Sequence, residues 1–396
     1  MRDFINDKIK RIKPSGIRRL FDIASEIPDV ISLGVGEPDF ETPWHIREEG
    51  IYSLHKGRTF YTSNSGLLEL RSEIAAFMSR KYGLNYDPKN EIIVTVGGSE
   101  AIDIALRAVL DPGDEVVYPE PCFVSYEPCI LLSDGVPVPI ELYPGTEFRL
   151  TPEQLEAAVT PRTKALLISY PNNPTGAVMD RRDLEKLVPV ILKHDLLVIS
   201  DEIYSELSYK ERHVSIASLP GMRERTIVIN GFSKSFAMTG WRLGFVCAPE
   251  GIAEYMLKVH QFGIMSAPTM SQYAAVSAMR SGDKDIDIMR ESYNQRRRFL
   301  MECFREIRLP CFEPYGAFYA FPDISEFGMD SENFCEELLK AEKVAVVPGS
   351  AFGACGSRHV RISYAYSIEE LKEAMSRIAR FVKERRRTRR SPGRAV

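Results

Sequence analysis

Residues 230–244, NGFSKSFAMTGWRLG, set one lysine, Lys234, among small and apolar residues, with an arginine, Arg242, eight positions on. Just ahead, TIVIN (226–230) is an apolar, β-branched run that reads as a buried strand. A lysine delivered by such a strand is partly shielded from water. Shielding, together with a second cation nearby, lowers the amine pKa toward the range where it can exchange a proton. Taken alone, a lysine reads as a surface loop residue paired with a carboxylate, so its surroundings must decide.

Working outward, short apolar runs alternate with longer amphipathic ones. EIIVTV (91–96), EVVYPEP (115–121), KALLISY (164–170), DLLVISDEIY (195–204), TIVIN and LGFVCAP (243–249) are separated by helical patterns such as EAIDIALRAVL and RDLEKLVPVILKHD. Several of the short runs are apolar on both faces, which predicts an α/β domain on a mainly parallel sheet. In such sheets ligands bind at the carboxyl ends of the strands, where GGSE (97–100), PNNPTG (171–176) and SDEIY (200–204) fall. After about residue 281 the rhythm changes to a long charged helix, strands around GAFYAFPDI and HVRISYAY, and a last helix, which predicts a smaller α+β domain. The expected division is 1–45 joining the small domain, 46–285 as the large domain, 286–383 as the small domain, and 384–396 as a basic, disordered tail. There is no internal repeat.

Composition bounds the function. The 396 residues are 44% hydrophobic and 27% charged, an ordinary soluble balance. A net charge of -4 gives no global pull toward nucleic acid, so any anion site must be local. Seven cysteines, widely spread and without a CxxC pair, fit neither a disulfide framework nor a zinc site and predict buried thiols in a reducing compartment. The N-terminus is charged throughout and no 18-residue apolar run occurs, so the expectation is a soluble cytoplasmic protein with no membrane and no nucleic-acid partner. The tail KERRRTRRSPGRAV reads as a solvated helix end rather than a nucleic-acid arm.

With its neighbours, SKSFAMTGWRLG resembles the cofactor-lysine signature of class I and II aminotransferases, the fold type I enzymes that use pyridoxal phosphate. The resemblance extends from ISLGVGEPDF near Ile31 to HVRISYAYS near His359, with five motifs in the family's order. It implies a seven-stranded, mainly parallel sheet in the large domain and a small-molecule amino acid and 2-oxo acid as substrates. It also implies roles residue by residue. Lys234 matches the lysine that holds pyridoxal 5'-phosphate covalently and then carries the proton. Asp201 matches the carboxylate against the ring nitrogen, although an acid after an apolar run also reads as a helix N-cap. Tyr204 and Asn173 match donors to the phenolic oxygen, while Asn172 reads as part of a Pro-Gly turn.

For the phosphate, Gly98, Ser99 and Glu100 offer amides at a helix start, a pattern that by itself also describes a plain turn with a serine cap. Arg242 matches the phosphate arginine, whose planar fork suits phosphate oxygens. Many members carry a phosphate serine where this chain has Gly231, and Ser233 is the compensating candidate. Phe123 stands where an aromatic stacks on the ring, and phenylalanine stacks without donating a hydrogen bond. For the substrate carboxylate, Arg361 and the amide of Gly36 match, whereas an arginine in an alternating strand also reads as an exposed cross-strand charge. Tyr61 matches a tyrosine that reaches the neighbouring subunit's cofactor phosphate, which implies a homodimer with shared active sites.

Side-chain specificity stays open. Ser99 replaces a lysine that contacts the distal carboxylate in one aspartate-specific subgroup. YSELSY, HVSIAS and INGFSKS resemble a subgroup that includes N-acetyl-diaminopimelate aminotransferases and enzymes named for aspartate or aromatic donors. A C-S β-lyase on the same fold would keep Lys234, Asp201 and Arg242. A DNA-binding regulator with an aminotransferase-like domain would need several dozen residues ahead of the motif that begins near residue 33.

Overall fold

A computed structural model describes residues 3–12 and 27–390. The strands are β1 (Ile31–Ser32), β2 (Ile92–Thr95), β3 (Glu115–Glu120), β4 (Val136–Glu141), β5 (Thr163–Ser169), β6 (Leu197–Asp201), β7 (Thr226–Gly231), β8 (Gly244–Cys247), β9 (Tyr319–Ala320), β10 (Val344–Ala345), β11 (Val347–Pro348) and β12 (Val360–Ser363). Strands β2 to β8 form one seven-stranded sheet in the order β2-β8-β7-β6-β5-β3-β4. Neighbours are parallel except around β8, which runs antiparallel to both β2 and β7. The strands β2, β3, β7 and β8 are buried at every position. Successive residues feed opposite faces: Ile227 and Ile229 join the core under helix Gly97–Val109, while Val228 joins the core under helices Leu68–Tyr82 and Thr269–Ser281.

The six apolar runs read from the sequence are all strands of this sheet. The seventh, β4, was not among them. It is VPVPIE, with Pro137 and Pro139, and prolines argue against a central strand. Its place at the sheet edge, paired on one side only with β3, is where prolines are tolerated.

The second layer is smaller. Strands β11, β12 and β9 form an antiparallel sheet in that order, packed with helices Asp283–Glu306, Ser331–Glu342 and Ile368–Arg390. The N-terminal segment joins this part: β1 pairs in parallel with β10 through Ile31 with Val344 and Ser32 with Ala345. One expectation is corrected here. The last helix continues to Arg390, so residues 384–390 are not a disordered tail; residues 391–396 lie outside the described residues. Arg386 docks this end, donating to the carbonyls of Ile307 at 2.6 Å and Arg308 at 2.8 Å and pairing with Glu326.

All seven cysteines are free, with Cys122, Cys247 and Cys335 buried and the other four only partly so, a modest departure from the expectation of buried thiols. Among the described residues no helix is long and apolar enough to cross a membrane, and no group of His, Cys, Asp and Glu is placed to hold a metal.

Candidate active site

The carboxyl ends of β2, β5, β6 and β7 lie along one edge of the sheet, and the chain leaves each in a turn. The residues that follow line a cavity of about 430 Å³ closed from the other side by β12 and the segment after β1. Gly36, Gly98, Ser99, Phe123, Asn173, Asp201, Tyr204, Ser233, Lys234, Arg242 and Arg361 all line it. Two of the expected residues do not. Tyr61 is 79% exposed on a loop away from the cavity. Glu100 turns its side chain back to accept from the Val96 N–H and to meet His260.

Lys234 follows β7 and is half-buried at the cavity wall. Its Nζ donates to the carbonyl of Gly36 at 2.6 Å. Its pKa is lowered to about 8, first by burial and then by Arg361 and Arg242, with Glu37 and Asp201 opposing. The loop bends sharply behind it: Ala237 and Arg242 both take a left-handed backbone, φ 51°, rare outside glycine. The turn lets Arg242 double back toward Gly97, whose missing side chain leaves room for it: a Cβ there would lie 2.7 Å from Arg242 Nη2. Gly244 makes the same allowance, since its Cβ would meet the Gly97 carbonyl carbon at 2.6 Å. Ser233 faces the cavity, whereas Gly231 sits against Gly244 and Ile203, with no space for a larger side chain.

Asp201 ends β6. Its Oδ1 accepts from the Ile203 N–H at 3.1 Å and its Oδ2 from the Tyr126 hydroxyl at 2.7 Å. Burial raises its pKa to about 6, against the lowering effect of the Tyr126 hydrogen bond. The raised value fixes a sign. The unfolded carboxyl releases its proton near 3.8 and the folded one near 6, so between these the folded protein holds more protons and stability falls as pH rises through the window. Above it the ligand-free protein carries the full cost, on the order of 2–3 kcal/mol. Asp201→Asn is therefore expected to stabilise the ligand-free protein at pH 7 by about 2 kcal/mol in urea unfolding, and to leave it unchanged at pH 4. Equal stability at both pH values would show that the carboxylate is not strained.

Arg361 sits in β12, the middle strand of the small sheet, and is 5% exposed. Its Nη1 donates to Asn173 Oδ1 at 2.9 Å and its Nη2 to the Gly34 carbonyl at 2.6 Å, while Nε has no partner. The guanidinium lies over the rings of Tyr319 at 4.4 Å and Phe352 at 4.8 Å. Tyr204 and Tyr319 share a hydrogen bond of 2.7 Å between their hydroxyls. Asn172 is the turn residue expected, its Oδ1 accepting from Thr175 Oγ1 at 2.7 Å.

Tyr126 and Tyr319 were missed by sequence reasoning, although Tyr126 ends the stretch PEPCFVSY (119–126) that carries Phe123 and Tyr319 falls inside GAFYAFPDI. The one available signal for Tyr126 is its spacing, three residues after Phe123 at a helix start. Glu37 and Thr239 also line the cavity, joined by a hydrogen bond from the threonine hydroxyl.

The mostly parallel sheet, with a lysine and two arginines lining one cavity at its carboxyl edge, defines an α/β protein with an anion-binding ligand site. The chain matches the family model described as aminotransferase class I and II over residues 28–378, and it belongs to that family. It is 48% identical to an aspartate aminotransferase of Pyrococcus abyssi, over 97% of this chain and all of the relative. It is 46% identical to aromatic-amino-acid aminotransferase 2 of Thermococcus litoralis, over 96% of this chain and 99% of the relative. A crystal structure of an aromatic aminotransferase from Pyrococcus horikoshii superposes with a TM-score of 0.89 at 49% identity, covering 93% of this chain and 99% of that one. The protein is thus a transaminase, moving an amino group between an amino acid and a 2-oxo acid.

Proposed function

We propose that the cofactor is pyridoxal 5'-phosphate, that the donor is an L-amino acid such as aspartate or an aromatic amino acid, that 2-oxoglutarate or a similar 2-oxo acid is the acceptor, and that the enzyme works as a cytoplasmic homodimer. One observation carries the reading. Lys234, Arg242 and Arg361 converge on one cavity, yet among the described residues none of the three forms an ion pair. Arg361 is buried, Lys234 is half-buried and Arg242 lies at the exposed mouth, and a buried cation without a counter-charge is costly unless an anion completes it. A phosphate monoester and an α-carboxylate supply the missing charge, and the orphan Nε of Arg361 and the Arg242 guanidinium set against Gly97 suit them.

When bound, the cofactor supplies an aldehyde and an electron-withdrawing ring. Lys234 anchors it, and its lowered pKa lets the amine accept the substrate α-proton near neutral pH. Asp201, held by Tyr126, would serve the ring nitrogen, Phe123 would cover the ring, and Tyr204 would donate to the phenolic oxygen. Asn173 has its Oδ1 committed to Arg361, which leaves its Nδ2 as the donor. Gly98, Ser99, Ser233 and Arg242 serve the phosphate, while Arg361 and the Gly36 amide orient the carboxylate and so choose which bond at the α-carbon is presented.

Exposed apolar side chains support a second subunit. Phe60, Tyr61 and Phe262 are 81%, 79% and 85% exposed, and Trp44, Ile264 and Met265 add to the apolar surface. This supports the shared site in which Tyr61 serves the partner's phosphate.

The test is a single half-reaction. Pyridoxal-loaded protein from the fraction eluting at twice the chain mass is mixed with aspartate, alanine, tyrosine, glutamate or N-acetyl-diaminopimelate, and the pyridoxamine spectrum is followed. Fast conversion by one donor is the expected result and fixes the side-chain class. Conversion only by N-acetyl-diaminopimelate would make that the substrate. Release of pyruvate and ammonia from a cystathionine analogue without conversion would instead make the enzyme a lyase. Full activity in a single-chain fraction would remove the shared site.

A further inference from the structure

Glu100 was expected to serve the phosphate through its amide; its side chain does something else. It sits in the first turn of helix Gly97–Val109, where N–H groups lack helical acceptors. One carboxylate oxygen accepts from Val96 N–H and so holds the turn that presents Gly97, Gly98 and Ser99. The other lies 2.5 Å from His260 Nδ1, on helix Glu250–Gly263. His260 is fully buried and Glu100 nearly so, and His260 Nε2 has no partner. A buried polar pair of this kind is weak support for stability, since apolar residues of the same volume would serve as well or better.

The connection continues beyond His260. Its carbonyl accepts from the N–H groups of Ile264 at 2.8 Å and Met265 at 3.1 Å, and the Met265 carbonyl accepts from Asn64 Nδ2 at 3.0 Å. Asn64 is three residues from Tyr61, on the loop whose Phe60 carbonyl is also tied to Thr269 at 2.7 Å. Through one buried histidine, the phosphate turn of this subunit and the loop that carries Tyr61 rest on the same helix end.

We infer that Glu100 and His260 form a positioning pair that sets the phosphate-binding turn, with His260 as its anchor on the helix at the exposed apolar face. The inference rests on the pyridoxal phosphate reading and is separable from it. Full-length protein stripped of cofactor is titrated with pyridoxal 5'-phosphate, and KM for the amino donor is measured on the reloaded enzyme. His260→Leu, which removes the donor but keeps the volume, is expected to raise the cofactor Kd about tenfold, in the range typical for partners that orient a binding group. His260→Asn places an N–H near the position of Nδ1 and is expected to stay within about threefold of the parent. KM for the donor is expected to be unchanged in both.

A His260→Leu protein that binds cofactor as tightly as the parent overturns the pair's role, as does one whose donor KM rises as much as its cofactor Kd, since general distortion would explain that. Equal losses in the leucine and asparagine proteins overturn it as well. Where the leucine protein does not fold, His260→Met carries the same comparison. A parent that takes up no pyridoxal phosphate would overturn the cofactor assignment itself and this inference with it.

Discussion

Replacing Lys234 by alanine is expected to lower kcat by at least about 10⁴-fold, because it removes both the covalent anchor and the proton carrier. Loss of the cofactor's lysine-bound absorbance should accompany it. Stability should move the other way. Burial depresses the amine pKa from 10.5 to about 8, so between these values the folded protein holds fewer protons than the unfolded chain. Stability therefore rises as pH climbs through that window, and at pH 7 the ligand-free protein bears the whole cost, about 3 kcal/mol. Lys234→Ala is thus expected to be inactive and yet to unfold at higher urea than the parent at pH 7. Retained turnover would show that another group carries the proton. An inactive and destabilised variant would mean that the Gly36 hydrogen bond outweighs desolvation, and the reading of Lys234 as a strained residue would fall. Asp201 shows the same opposition between site and stability with the opposite pH dependence, which is the pattern expected where groups are buried for chemistry rather than for packing.

These two residues were legible in the sequence through the company they keep. Asp201 directly after LLVIS and Lys234 four residues after TIVIN are charges set beside apolar strands, and the motifs around them decided their reading. Apolar periodicity likewise carried most of the fold. It failed at β4, where Pro137 and Pro139 hide an edge strand, because edge position is a property of the sheet and not of the segment. It also failed at 384–390, where a run of arginines reads as a frayed end, and what orders it is a docking partner some 60 residues away, Glu326 for Arg386. Tyr126 meets Asp201 across 75 positions and Tyr319 meets Tyr204 across 115, and no local pattern marks an aromatic residue as the one that converges. The side chain of Glu100 was hidden by its own neighbours. GGSE announces a helix start with amides to offer, while the carboxylate's partner, His260, lies 160 residues on in another amphipathic helix.

Arg361 carries the second large expectation. Its guanidinium is held on three sides without a carboxylate: Asn173 and the Gly34 carbonyl take two nitrogens, and Tyr319 and Phe352 flank the plane. The orientation is fixed before any ligand arrives, so little side-chain entropy is lost when a substrate carboxylate joins it. Truncating one partner of a buried, hydrogen-bonded charge pair costs roughly 2–5 kcal/mol, which corresponds to a loss of about 30-fold to several thousand-fold in kcat/KM for Arg361→Leu. Arg361→Lys keeps the charge but not the planar fork or the ring stacking, so it should recover only part of the loss. A general defect would also lower kcat/KM, and a second substrate separates the two. The decarboxylated amine of the same donor lacks the group that Arg361 reads, so its slow turnover should be nearly the same in parent and Arg361→Leu, and the preference for the amino acid over the amine should collapse. Arg242 provides the control, since it faces the Gly97 turn and not the Gly34 carbonyl, and its replacement should weaken cofactor binding while leaving that preference intact. If the preference survived in Arg361→Leu and vanished on replacing Arg242, the two arginines would have to exchange roles, and the substrate would then lie in the cavity in the reverse direction.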